Sequence, residues 1–295
     1  MVERTIEAGS KKEAASPSRI GRRREVARKV FLQVHRTIGL FAGAVFVLVG
    51  LSGAVLAFRE NIDEMLNASI MRVDTQAQAY YRSPDEILGA ARAAMPTDGK
   101  AERLTMPRHP GSAATITYMV ETDDLETDVY QVFVDPYTAK VKGERLYLSR
   151  GDTFSQPFIP FLMTFHWTLL LGVNNAYVLG SIAIIVFISV FIGLYLWFPL
   201  TGDWRLGLKI KWGASAERLA FDVHRSVGIY GAAILLVMLF TGVAMIFKPA
   251  TQSLTSLFSP VHPNVDYGKS TPLPGHSPIG VGAAVAAADK IFPDG

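Results

Sequence analysis

Two 25-residue stretches of this chain, 189 residues apart, repeat one another without a gap. Val34-His35-Arg36-Thr37-Ile38-Gly39 runs on to Phe58, and Val223-His224-Arg225-Ser226-Val227-Gly228 runs on to Phe247. Seven pairs are identical (Val34/Val223, His35/His224, Arg36/Arg225, Gly39/Gly228, Ala44/Ala233, Gly53/Gly242, Phe58/Phe247), and most of the rest exchange one apolar residue for another. Each copy sets a histidine and an arginine at the mouth of a charge-free apolar run, 37–58 and 226–247, and 176–198 is a third such run. A helix needs about 20 apolar residues to cross roughly 30 Å of hydrocarbon. All three runs reach that length, so the sequence predicts three membrane-spanning helices in contact with a lipid bilayer.

Charge orients them. Residues 1–35 carry nine Lys/Arg against four Asp/Glu, whereas 59–165 carry eleven against sixteen. Arg22-Arg23-Arg24, Arg28 and Lys29 precede the first span, and Lys209, Lys211 and Arg218 precede the third. Basic residues close to a span favour the cytoplasmic side, which puts the N-terminus and the 199–222 loop inside and the long acidic segment outside. A secretory leader is the rival reading of the first run, because a basic region with twin arginines precedes it. The run is too long for that class, and its internal copy at 223–247 cannot be a leader.

The chain contains no cysteine, which excludes disulfides, cysteine-ligated zinc, iron–sulfur clusters and haem attached through C-x-x-C-H. Any redox or metal centre must then be held by histidine, methionine or carboxylate. The sequence has no glycine-rich phosphate loop after a strand, no G-x-S-x-G, no H-E-x-x-H and no paired carboxylates inside an apolar run. Hydrolysis and nucleotide use have no support, and the basic tail suits anionic lipid rather than nucleic acid.

The predicted organisation is a basic cytoplasmic tail (1–30), a span (31–58), an outside α+β domain (59–160), a short apolar helix at the outer surface (161–175), a second span (176–198), a cytoplasmic loop (199–222), a third span (223–248) and an outside segment (249–295). In the α+β domain, Ser83 is placed to cap a helix from Pro84 through Ala94. Strands are expected at 113–120 and 129–134, followed by a turn at Asp135-Pro136-Tyr137-Thr138. Ser83-Pro84, Ala90–Ala94 and Pro96-Thr97-Asp98-Gly99 are echoed by Ser277-Pro278, Ala283–Ala287 and Pro293-Asp294-Gly295. The repeat is therefore a span plus an outside domain, occurring twice, and the second copy is expected to continue for about 60 residues and a fourth span beyond this sequence.

His35 and Gly39 are four residues apart, as are His224 and Gly228, so each glycine shares a helix face with its imidazole. A missing side chain one turn from a histidine leaves a flat slot, which a planar macrocycle needs. Gly43 and Ala232 continue the stripe, where they equally allow close helix contact. Arg36 and Arg225 are fixed cations suited to propionate carboxylates. Two readings stand at this point: ligands to a haem iron, or interfacial side chains reaching toward water and phosphate headgroups. His166, in Phe165-His166-Trp167-Thr168, is a further candidate ligand at the opposite membrane face. His109, His262 and His276 read as loop residues, and Met163 and Met245 as packing.

The V-H-R-x-x-G openings at 34–39 and 223–228, Ser52-Gly53 and Thr241-Gly242 deep in each span, Gly193-Leu194-Tyr195-Leu196-Trp197, and Val134-Asp135-Pro136-Tyr137-Thr138 together resemble the PepSY-associated transmembrane family, which includes bacterial iron-regulated membrane proteins and siderophore-reductase-like proteins. The resemblance covers about 30–295. It implies a membrane α-helical bundle of four spans, three of them present here, with an extracytoplasmic α+β PepSY domain and the start of a second. It implies an inner-membrane b-type haem carrier with one haem between His35 and His224, and a second at His166 completed by a histidine of the fourth span. Ala139 stands where the family's Asp-Pro-x-x-Gly turn usually has glycine. The function so implied is outward electron transfer, from a donor the sequence does not reveal, to a ferric siderophore or similar iron chelate. The alternative is a non-catalytic PepSY protein that binds or restrains an extracytoplasmic partner. A transporter is disfavoured by the lack of acidic residues and broken helices in the apolar runs.

Overall fold

The computed structural model describes residues 19–75, 80–95, 99–121, 127–149, 151–172, 175–198, 204–261, 274–275, 277 and 279–292. The expectations placed on the N-terminal tail before Arg19, and on His262 and His276, lie outside the described residues. Three of the described helices are long and apolar enough to cross a membrane: α1 (Arg19–Leu56), α6 (Ala176–Trp197) and α7 (Ala216–Ile246). Large apolar side chains on them, such as Leu40, Phe41, Val227 and Ile234, are exposed, as a lipid-facing surface requires. Both repeat helices begin well before their apolar runs, α1 at Arg19 and α7 at Ala216, so that α7 also carries Glu217 and Asp222.

The chain divides into two units, residues 1–45 with 182–243 and residues 46–181 with 244–295. In the first unit, the Arg28 guanidinium donates to the carbonyls of Leu196 and Phe198, serving acceptors that the end of α6 leaves without helical partners. Phe31 meets Tyr195 edge to face at 5.3 Å. A 3₁₀ turn, Trp204–Leu208, precedes α7.

The second unit holds an antiparallel sheet in the order β1 (Lys100–Thr105), β2 (Ala114–Glu121), β3 (Thr127–Val134), β4 (Val141–Leu148). Alternation in β2 turns Ala114, Ile116 and Tyr118 to one face. They pair across β3 with Val134, Val132 and Tyr130, and Ile87, Leu88 and Ala91 of α4 (Pro84–Ala94) complete this core. Ser83 and Glu86 form a reciprocal capping box at the start of α4. On the other face Phe133 is equally buried, beneath α2 (Arg59–Leu66) and α3 (Ala68–Met71). Gly143 admits this layer, because a Cβ there would lie 2.6 Å from Ile70 Cγ2. Covered on both faces, the sheet buries Val132, Phe133 and Val134 in succession.

The turn between β3 and β4 shows what the departure at Ala139 does. Asp135 Oδ1 accepts from the Tyr137 and Thr138 amides, and Ala139 closes the turn at φ 54°. A Cβ in the left-handed region costs about 1 kcal/mol that glycine avoids. Ala139→Gly is therefore expected to stabilise the α+β domain by about 1 kcal/mol in urea unfolding followed by circular dichroism.

After β4 come α5 (Phe158–Thr168), α8 (Lys248–Thr255) and α9 (Val281–Ile291). The start of α6 packs closely on the end of α7, where a Cβ at Gly180 would lie 2.6 Å from Phe247. The helix α9, which repeats α4 in sequence, rests against it, and the Gly282 amide donates to Asp85 at 3.0 Å.

Candidate functional site

The two repeat histidines come together. His35 on α1 and His224 on α7 have ring centres 6.1 Å apart with planes at 53°. Metal–imidazole nitrogen bonds are about 2 Å long, so two imidazoles on opposite sides of one iron hold their ring centres about 6 Å apart. His35 is also aimed by α6. Its Nδ1 lies 3.0 Å from the Ser189 carbonyl and 2.9 Å from the Ser189 hydroxyl. One turn on, a Cβ at Gly193 would lie 3.0 Å from His35 Cε1, so glycine is what lets the ring lie against α6. With Nδ1 as the proton-bearing nitrogen facing that carbonyl, Nε2 keeps its lone pair. Tethering of the second nitrogen to a carbonyl is how ligating histidines are generally held.

A Cβ at Gly39 or at Gly228 meets nothing within 4 Å, so the space beside each histidine is open. Gly43 is open as well, whereas Ala232 is buried in helix contact. The two arginines behave differently. Arg225 donates to Asp222 Oδ1 and to the Lys209 carbonyl, both at 3.3 Å, and its guanidinium lies over Phe221. Arg36 is exposed and makes no ion pair or hydrogen bond among the described residues.

His166 repeats the same design in the second unit. From α5 it places Nδ1 3.0 Å from the Ser52 hydroxyl and 3.0 Å from the Val49 carbonyl of α1. A Cβ at Gly53 would lie 2.8 Å from its Cε1. A serine and a glycine on one helix thus seat an imidazole from another helix in each unit. Among the described residues no second histidine faces His166, and no group of three metal-ligating side chains occurs.

His109 lies in a loop, as expected, yet its Nε2 is 3.0 Å from the buried Glu64 carboxylate. Glu64 on α2 also accepts from Arg72, Arg108 and Ser112, beside a cavity of about 380 Å³ lined by Asn61, Glu64, Arg72, Val73, His109 and Gly111. Burial pushes Glu64 upward, but hydrogen bonds from His109, Arg72 and Arg108 outweigh it and hold the carboxyl below the ordinary glutamate value of 4.5. A folded-state value below the unfolded one adds stability that is present above the unfolded value and lost as pH falls through the folded one. Acid titration of the domain's circular dichroism should therefore show a loss beginning near pH 4.5. Glu64→Gln should flatten it and lower stability at neutral pH by roughly 1–3 kcal/mol.

Three apolar helices joined to a small four-stranded α+β domain make this a membrane helical protein. The sequence profile of the PepSY-associated TM region matches residues 32–291, and the chain belongs to that family. A search of curated proteins returned no match to it.

Proposed function

We propose that this chain is an inner-membrane haem b electron carrier that passes electrons outward to a ferric siderophore or similar chelate, with its N-terminus cytoplasmic and its α+β domain periplasmic. The observation that carries this reading is the 6.1 Å separation of the His35 and His224 rings together with the Ser189 tether on His35 Nδ1. Bound haem supplies a one-electron couple. The chain supplies the rest: Ser189 fixes the tautomer and plane of His35, Gly193 admits its ring, and Gly39 and Gly228 leave room beside each imidazole. Arg36 is the cation available to a haem carboxylate, since Arg225 is engaged by Asp222. Ferric iron is held by hard oxygen donors, and one added electron weakens that hold, which suits release of iron from a chelate. His166, held at Nδ1 in the same way as His35, is the candidate ligand for a second centre. Orientation follows Arg22-Arg23-Arg24, Arg28, Lys29, Lys209, Lys211 and Arg218.

The test is anaerobic absorbance of the chain purified in detergent after expression with ample haem precursor. The expected result is a haem spectrum that shifts on dithionite reduction and returns when a ferric hydroxamate is added, with ferrous iron appearing in step. A colourless protein would overturn the reading in favour of a family member whose α+β domain binds a partner.

A further inference from the structure

Asp222 is the most completely buried carboxylate among the described residues, with a side chain 1% exposed. A bare carboxylate so placed is very unfavourable, and partners must compensate it. Arg218 Nε donates to its Oδ2 at 3.1 Å, the Lys211 amide donates to the same oxygen at 3.3 Å, and Arg225 donates to Oδ1 at 3.3 Å. Arg225 and Ser226 extend the grip, donating to the carbonyls of Lys209 and Gly207. The residues before α7 are thus bound to its first turns at three successive places. They also pack against α6, where a Cβ at Gly207 would lie 3.0 Å from the Trp197 indole.

His224 sits between Asp222 and Ser226 in sequence but not on their face. Two residues along a helix turn the side-chain direction by about 200°. The polar knot therefore grips one side of α7 while His224 projects from the other, toward His35. Rotation of α7 about its axis would swing His224 away, and the knot is what opposes that rotation. A continuous route links the two rings: His35 to Ser189 and Gly193 on α6, Trp197 to Gly207, then Ser226 and Asp222 to the turn that carries His224.

We propose that Asp222 is the positioning residue of the paired site, setting the rotation of α7 so that His224 faces His35 across a gap of one iron. The inference rests on the haem reading for its consequence, and on the knot alone for its mechanism.

The experiment compares wild type with Asp222→Asn, each loaded with haem b. Asp222→Asn is expected to keep haem on His35 but to pass from a six-coordinate low-spin spectrum to a five-coordinate high-spin one, and added free imidazole should restore the first. General unfolding would not be reversed by imidazole. A wild-type low-spin spectrum in Asp222→Asn at full haem occupancy would overturn the proposal. If Asp222→Asn does not accumulate, Ser226→Ala, a milder loosening of the same turn, is read in the same way. Should wild type bind no haem, the functional reading falls and the knot is judged on the apoprotein. Trypsin should then cut after Lys209 and Lys211 roughly tenfold faster in Asp222→Asn, a change in the open population equivalent to about 1.4 kcal/mol. Equal rates would overturn the knot itself.

Discussion

His224→Ala and His35→Ala are each expected to lose the low-spin haem spectrum, with haem affinity falling by roughly a hundredfold or more. The magnitude follows from the groups around a ligand: removing an outer hydrogen-bond partner typically costs about 10–100-fold, so removing the ligand itself must cost at least the upper end of that range. The two substitutions should differ in detail. His35 is held by Ser189 and lies against Gly193, so His224→Ala leaves one well-positioned imidazole and a weakly retained, five-coordinate haem. His35→Ala leaves only His224, for which no hydrogen bond is seen among the described residues, and retention should be poorer. Ser189→Ala is expected to be milder than either, since it keeps both histidines and the Ser189 carbonyl and loses only the hydroxyl contact that helps orient His35. Haem titration of the purified variants, followed by absorbance, ranks all three.

Arg145→Ala is expected to destabilise the α+β domain by about 3–5 kcal/mol, the cost of stripping one partner from a buried ion pair. The Arg145 and Asp63 side chains are 8% and 10% exposed and meet through two hydrogen bonds, at 2.8 and 2.6 Å. Arg145 also bonds Gln131 and stacks on Phe133 at 5.2 Å. Its loss leaves the Asp63 carboxylate buried without its cation, uncovers the second face of the sheet, and loosens α2, the helix that continues the α1 chain after Phe58. Pulse proteolysis in urea, scored on fragments cut between residues 59 and 150, measures the effect. Asp63 and Arg145 replaced together by apolar residues of similar size should recover much of the loss.

The spans, their repeat and the pairing of His35 with His224 were legible because apolar runs and a duplicated pattern are one-dimensional signals. Ser83-Pro84-Asp85-Glu86 announced α4 for the same reason, since a cap acts within four residues. What stayed hidden depends on partners far away in sequence. Nothing in the sequence marks Asp63 and Glu64 as buried, because carboxylates are rarely buried unless paired and their partners Arg145 and Arg108 lie 82 and 44 residues away. The strand β1 carries little apolar alternation, and nearly all of it is exposed, so only its ladder with β2 makes it a strand. The apolar run places Asp222 in the 199–222 loop, whereas the helix begins earlier, at Ala216.

Ser189 and Gly193 were the clearest missed signal at the site. They are small residues four apart on one face of a uniformly apolar helix, the same spacing as His35 and Gly39, and in the sequence Gly193 stands out only as part of the family-like Gly193–Trp197 stretch. Ser52-Gly53 likewise carried the resemblance without a role, and the structure gives it one as the seat of His166.

Low-temperature electron paramagnetic resonance of the oxidised, haem-loaded chain tests most directly whether His35 and His224 clasp one iron. A low-spin ferric signal in wild type that becomes an axial high-spin signal in His224→Ala is the predicted result. A high-spin signal in wild type, or a low-spin signal unchanged in His224→Ala, would contradict it.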